Sequence, residues 1–319
     1  MTYSNLIVTG SIAKDEIMDF PYRFEDSFDK EKLHQINISF VVERLTQQLG
    51  GTGTNISYNA TLLTKKTVSL LSAVGKDGNE FLEFLKKKGV KTDGIIEDKD
   101  LYTSTGKVIT DIKGNQIWGF YHGASGQAKN IKIPEEAENG GIVVISANHS
   151  DPFLHFQSEA IRRKLPYLYD PGMVLSWIKD SDLREGIEHA TWLIGNDYEI
   201  AQILKRLEMK EEYLKEKKVI LIRTLGEHGV EYTDAEKTIN MPGYKVENAL
   251  DPTGAGDAWR GGFLAGMLEG KEMKECLAWG NALASFAVET YGTVNHAPSV
   301  EDVTNRANTL KVINKISKP

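Results

Sequence analysis

A single cysteine, Cys276, stands among 319 residues. That excludes a disulfide framework and any thiolate metal cluster. Its setting, the apolar stretch ECLAWGNALASFAV, marks it as a core residue. Basic residues are outnumbered too, 38 against 45 acidic ones for a net charge of −7, and no Lys/Arg run exceeds residues 86–88. A protein that neutralises nucleic-acid phosphates carries a basic footprint, so no nucleic-acid partner is expected. No apolar run approaches the roughly 18 residues that a bilayer-spanning helix requires, so no membrane partner is expected either. The opening MTYSNLIVTGSIAKDE has no basic region ahead of its short apolar run. It reads as a first strand rather than a signal peptide, and the expected compartment is the cytoplasm. Familiar nucleotide and metal motifs are missing: no GxxxxGK[ST], no GxGxxG after a strand, no HExxH and no GxSxG. The first strand runs instead into Gly10-Ser11-Ile12-Ala13, which argues against a dinucleotide oxidoreductase. The seven histidines show no metal-ligand spacing.

What is present is an alternation. Short apolar runs, each the length of a strand buried on both faces, recur as NLIVTG, TVSLLSAVG, GIVVISAN, LPYLYD, ATWLIGN and KVILIRTLG. Helical spacing fills residues 55–63, 79–88, 154–164, 197–207 and 211–216 between them. This predicts an α/β fold, a doubly wound and mostly parallel sheet with helices on both faces. Several runs end in Gly, Asn or Asp, among them Gly10, Gly75, Asn148, Asp170, Asn196 and Gly226, and ligands of open α/β sheets bind at that edge. Two segments interrupt the rhythm. Residues 14–44 have aromatic and β-branched residues without period, and residues 101–122 read as a β-meander turning at Lys113-Gly114-Asn115. Paired together they would form a small β lid over the crevice; the alternative is two decorative excursions. The expected division is therefore 1–13, 45–100 and 123–319 for a large nucleotide- and substrate-binding domain, with 14–44 and 101–122 as the lid.

Two glycine-rich stretches remain to be explained. In DPTGAGDAWRGGFLAGM, helical spacing starts at Ala258 and continues through Trp259, Phe263, Leu264, Met267 and Leu268. Gly254, Ala255 and Gly256 thus form a nearly bare first turn whose N–H groups and dipole favour an anion. Asp257 sits beside that anion, placed to accept a hydroxyl proton; the alternative is a first-turn acid favoured by the dipole. The second stretch, LGGTGTNISYNA, also precedes a helix and by itself is no more than a turn signal.

DPTGAGDAW resembles the C-terminal signature of the PfkB, or ribokinase-like, kinase family, and GGTGTN resembles its N-terminal one. The likeness covers nearly the whole chain. The segments TGSIAKDEIMDFPYRF, LHQINISFVVE, GNQIWGFYHGA, LIGNDYE and YGTVNH are most similar to bacterial and archaeal adenosine kinases. The resemblance implies an ATP- and Mg²⁺-dependent kinase of the 5′-hydroxyl of adenosine or a related nucleoside. A kinase of free ribose or fructose, and a silent nucleoside- or sugar-binding protein, are the alternatives. By the same resemblance Asp257 is the base, with Gly254, Ala255 and Gly256 the anion hole. Asp15, Gly50, Gly51 and Asn55 hold the acceptor, together with Asn115 and Phe120 from the lid. Asn196 and Glu199 form the NxxE pair that arranges Mg²⁺, through water, and the triphosphate; a helix cap and a solvated acid are the alternative. Thr224, Gly226, Gly229 and Asn281 line the nucleotide wall, and Asp251 falls where many relatives bind a monovalent cation, K⁺. The lid aromatics Phe20, Tyr22, Phe40, Trp118, Phe120 and Tyr121 are candidates to stack on a base or to form lid core. Trp259 and Arg260 replace the small or aliphatic pair of many sugar kinases, and Thr52 and Thr54 stand where many ribokinases have Lys and Ala. A lid sheet of this kind is compatible with a monomer or with a homodimer formed through it.

Overall fold

Strand β1 (Asn5–Thr9) shows how the chain is sorted. Leu6, Ile7 and Val8 are all buried, and successive side chains leave a strand on opposite faces. Leu6 and Val8 enter one core, Ile7 a second. Strand β8 (Gly141–Ser146) repeats the division, with Ile142 and Val144 on the first side and Val143 and Ile145 on the other. A strand wetted on neither face has no polar position to show, which is why these runs are continuous.

The computed structural model describes residues 3–28 and 38–314. Residues 29–37 of the expected lid, and the side chain of Trp118, lie outside the described residues. Nine strands form the large sheet, in the order β13-β12-β11-β10-β9-β8-β1-β4-β5. The added members are β4 (Thr67–Val74), β5 (Ile95–Glu97), β9 (Tyr167–Asp170), β10 (Trp192–Asn196), β11 (Ile220–Thr224), β12 (Gly229–Thr233) and β13 (Thr238–Pro242). From β11 to β5 all neighbours are parallel; β12 and β13 add an antiparallel edge. The six apolar runs are β1, β4, β8, β9, β10 and β11, as expected.

Helices cover both faces. The described helices are α1 (Phe24–Ser27), α2 (Thr52–Leu63), α3 (Asn79–Lys87), α4 (Ser150–Arg163), α5 (Asp180–Glu188), α6 (Asp197–Arg206), α7 (Glu211–Glu216), α8 (Ala255–Leu268), α9 (Met273–Val288) and α10 (Val300–Thr309). Helices α2, α3, α8, α9 and α10 pack on the Leu6 side, and α4, α5, α6 and α7 on the Ile7 side. Helix α5 was not expected: Leu183 and Ile187 are its only buried aliphatics, too few to mark an apolar face. Helices α2 and α8 cross closely at Gly261, where a methyl group would stand 2.4 Å from Asn59 Cβ.

The second sheet has the order β3-β2-β6-β7, from β2 (Ala13–Asp19), β3 (Arg44–Gly50), β6 (Ser104–Thr110) and β7 (Gln116–Tyr121). The parallel pair β2–β6 joins the two segments that interrupt the alternation. Strand β3 carries this sheet to Gly50, beyond the boundary expected at residue 44. It then turns straight into α2, so the sheet and the helix share a hinge at Gly50 and Gly51.

Candidate active site

The first turn of α8 is built as its sequence requires. Gly254 caps it at φ +77°, a left-handed conformation that costs a side-chain-bearing residue free energy and glycine none. A methyl group there would also press to 2.8 Å from Thr293. Asp257 is the third residue of the helix, and its Oδ2 accepts from Asn55 Nδ2 at 2.8 Å. Asn55 comes from the first turn of α2, which starts at Gly51 (φ +92°). Two helix N-termini therefore converge on one carboxylate. Asn55 is 4 % exposed, and its Oδ1 is buried without a partner.

Arg260, one turn after Gly256, is buried beneath this carboxylate. It binds Asp170 at the end of β9 with two hydrogen bonds, Nε–Oδ2 at 2.5 Å and Nη2–Oδ1 at 2.7 Å, and donates from Nη1 to the Gly256 carbonyl at 2.9 Å. Burial opposes the guanidinium charge, yet Asp170 beside it holds its pKa above the ordinary arginine value. Asp257 is partly exposed, and the burial of the rest of it raises its pKa to about 6 against the lowering by Arg260 and Asn55. Desolvation outweighs the charge and the hydrogen bond that favour the ionised form.

Asp15 faces the same cleft from β2. Its Oδ2 lies 2.7 Å from where a methyl on Gly50 would sit, and Gly50 in turn neighbours Thr293. Burial raises the Asp15 pKa to about 6, and among the described residues no group donates to it. Thr293, whose hydroxyl donates to Leu49 O at 3.2 Å, thus touches both the acceptor end of β3 and the cap of α8. Behind α2, Asn59 Oδ1 lies 2.6 Å from the buried His296 Nε2, and Asn59 Nδ2 donates to the Asn55 carbonyl at 2.9 Å. Asp170, Asn59, Thr293 and His296 were not singled out by sequence as site residues; the segments YGTVNH and LGGTGTNISYNA and the carboxylate ending an apolar run were their only signals.

The residues expected to face the nucleotide lie at the carboxyl ends of β10 and β11, where Asn196 pairs with Thr224. Asn196 and Glu199 form a reciprocal capping box: Asn196 Oδ1 accepts from Glu199 N and Glu199 Oε2 from Asn196 N, both at 2.8 Å. Asn196 is thus a helix cap, but Glu199 is not a solvated acid, since burial raises its pKa. Gly226 is exposed and Gly229 buried at the start of β12. Asp251 turns both carboxylate oxygens to backbone donors, Oδ1 to Thr253 N at 2.9 Å and Oδ2 to Gly292 N at 3.0 Å. It ties the loop before α8 to the turn after α9.

Two expected site residues are taken up by the protein itself, and the lid aromatics divide between the two readings given for them. Asn281 does not open onto a nucleotide wall: it is buried, accepts from the Trp259 indole at 2.7 Å and donates to the carbonyls of Met241 and Pro242. Asn115 sits at the far tip of the β6–β7 hairpin, where Asp111 accepts from both its backbone and its side chain. It shapes a turn. Among the lid aromatics, Phe20 is buried against Phe24 and Phe40, which makes it and Phe40 lid core. Phe120 remains 40 % exposed.

The model of the pfkB family carbohydrate kinases matches residues 13–300. The chain belongs to that family. Among curated relatives, the nucleoside kinase of Methanothermobacter thermautotrophicus is 33 % identical over 276 residues, covering 85 % of this chain and 88 % of the relative. Among solved structures, the Methanocaldococcus jannaschii nucleoside kinase superposes with a TM-score of 0.86 at 26 % identity, covering 97 % of this chain and all of that one. The Burkholderia thailandensis nucleoside kinase in complex with inosine gives 0.84 at 26 % identity, covering 98 % and 100 %. Among the described residues no helix is long and apolar enough to cross a membrane.

Proposed function

We propose that this pfkB-family kinase transfers the γ-phosphoryl group of ATP to the 5′-hydroxyl of a nucleoside, adenosine or a relative of it. One observation carries the reading. Asp257 is a half-buried carboxylate of raised pKa, held by Asn55 at a helix start whose first turn is Gly254, Ala255 and Gly256. A carboxylate so placed accepts the hydroxyl proton while the hydroxyl oxygen attacks the γ-phosphorus and the bond to the ADP oxygen breaks. The N–H groups of the first turn face the charge that develops on the phosphoryl oxygens. The free Oδ1 of Asn55 offers an acceptor for a sugar hydroxyl, and the carboxylate of Asp15 offers another. The small sheet acts as the lid that brings Asp15 to the sugar.

The donor set for Mg²⁺ fits an ion held through water. No group of three acidic, histidine or cysteine side chains converges among the described residues. Glu199, however, keeps one carboxylate oxygen clear of protein hydrogen bonds, and Mg²⁺ commonly retains its waters. When bound, the ion offsets the charge of the phosphates. The carboxylate oxygens of Asp251 already accept backbone donors, and nothing in this reading depends on a monovalent cation.

A free sugar would leave the exposed ring of Phe120 without a partner, which favours a nucleoside over ribose or fructose. Turnover assayed with ATP and Mg²⁺ against adenosine, other nucleosides, ribose and fructose tests this. Stacking and burial of a base predict on the order of 10²-fold higher kcat/KM for the nucleoside. Equal values for ribose would sink the nucleoside assignment and leave the kinase.

A further inference from the structure

The ion pair beneath the base has a geometry that stability alone does not explain. The Arg260 and Asp170 side chains are 8 % and 4 % exposed. Taking two such charges out of water costs about as much as their attraction offsets, and an apolar pair of similar volume commonly folds as well. What sets this pair apart is where it points. Its two hydrogen bonds engage Nε and Nη2, which fixes the plane of the guanidinium and leaves Nη1 as the remaining corner. Nη1 donates to the Gly256 carbonyl at 2.9 Å. A methyl group on Gly256 would press on Nη1 at 3.1 Å, and glycine leaves that approach open.

The carbonyl of Gly256 and the N–H of Asp257 belong to one planar peptide group. Among the described residues neither the Asp257 N–H nor the Gly256 N–H finds an acceptor. Their neighbours do: Ala255 N donates to the Pro252 carbonyl at 3.2 Å and Ala258 N to the Gly254 carbonyl at 2.8 Å. The turn thus keeps two N–H groups for an anion, and the peptide bearing one of them is gripped at its opposite end by a buried cation. A charged donor on a carbonyl oxygen draws electron density towards it and leaves the amide proton of the same peptide more positive.

We propose that Arg260 is a positioning residue for phosphoryl transfer: held by Asp170, it fixes and polarises the Gly256–Asp257 peptide so that the Asp257 N–H donates most strongly to the phosphoryl oxygens in the transition state. This rests on the kinase reading above. A donor fixed before the reaction acts where charge develops, so its worth appears in kcat rather than in binding.

The test is the double variant Arg260→Met/Asp170→Leu, which removes the cation without stranding a buried carboxylate. Turnover is measured at saturating ATP, Mg²⁺ and preferred acceptor. The pH is that of the alkaline plateau, where the base is ionised in every variant, so a shifted base cannot mimic the effect. There kcat should fall on the order of 10- to 100-fold, with KM for ATP and for the acceptor within about threefold of wild type. Affinity for MgADP with aluminium fluoride and acceptor, a mimic of the phosphoryl group in flight, should fall alongside kcat, and affinity for MgADP alone should not. Wild-type kcat in the folded double variant overturns the inference, as does undiminished affinity for the mimic. Should the double variant not fold, Arg260→Lys decides, because an ammonium cannot fork onto Asp170 while reaching the Gly256 carbonyl. A fall in its kcat with KM unchanged supports the inference, and kcat at the wild-type level overturns it. A wild type that phosphorylates no nucleoside and no sugar would instead overturn the kinase reading, and this inference with it.

Discussion

Two carboxylates face the cleft from regions of opposite construction. Both have pKa values raised by burial to about 6. Asp257 stands where two buried helices cross, with Asn55 donating to it and Arg260 beneath it, itself locked to Asp170. Asp15 stands on a four-stranded sheet joined to the rest through glycines, and among the described residues no group donates to it. The helix crossing therefore holds its carboxylate in place before any ligand arrives, which suits a group that must meet a reacting oxygen within a fraction of an ångström. The small sheet leaves its carboxylate to be completed by the ligand, which suits a group whose partners are substrate hydroxyls.

The sharpest way to break this contrast is Asp257→Asn. It should lower kcat by 10² to 10⁴-fold, the usual worth of general base catalysis, with a melting temperature no lower than wild type. A folded variant keeping more than about a tenth of wild-type kcat would return Asp257 to a helix-start acid. Next is Arg260→Met, which strands Asp170 without its partner; stability to urea should fall by about 3–5 kcal/mol. Pairing it with Asp170→Leu should recover much of that loss, and no recovery would mean that the ion pair is not what holds this turn.

Asp15→Ala should raise KM for the acceptor about 10- to 100-fold, the worth of charged hydrogen bonds of roughly 1.5–3 kcal/mol. KM for ATP should barely move. Equal changes in both would make Asp15 structural and erase the distinction between the two regions.

The raised pKa values also set a pH dependence whose sign differs between stability and rate. A carboxyl that titrates at about 6 when folded and near 4 when unfolded holds its proton more tightly in the native state. The stability this contributes is complete below about pH 4 and is lost as pH rises through about 6. Turnover needs the ionised base, so kcat should rise over the same interval. Unfolding at pH 4.5 and pH 7 should shift by up to about 4 kcal/mol more in wild type than in Asp15→Asn/Asp257→Asn, about 2 for each carboxylate; identical shifts would refute it. The smallest effect belongs to Asn115→Ala, which should cost about 1 kcal/mol of stability through the lost turn bond and leave acceptor KM within about threefold. A large rise in KM would restore Asn115 to the acceptor site.

The chain's own pattern was enough for six of the nine strands of the large sheet. Strands β1, β4, β8, β9, β10 and β11 are legible because a strand covered on both faces tolerates no polar position over its length. The α8 start was legible for an equally local reason: bare residues and a carboxylate ahead of an apolar helical stripe answer the unpaired N–H groups of a helix N-terminus. Less visible were elements that bury little, such as α5, and the run of β3 up to Gly50.

What the tertiary structure alone decided is which polar atoms are left for a ligand. Asn55 and Asn281 were both expected at a ligand, the first at the acceptor and the second on the nucleotide wall. Asn55 meets a carboxylate 202 positions away and keeps one oxygen free, whereas Asn281 meets an indole and two carbonyls that take up its whole amide. Arg260 and Asp170, 90 positions apart, form the pair beneath the base, and Asn59 and His296, 237 apart, brace the helix that presents Asn55. Period, caps and turns depend on neighbours within a few residues, so the amino-acid order carries them openly. Whether a buried amide or carboxylate is satisfied depends on groups delivered by distant segments once the cores on both faces of the sheet have closed, and only then does a cleft with unmet donors and acceptors exist.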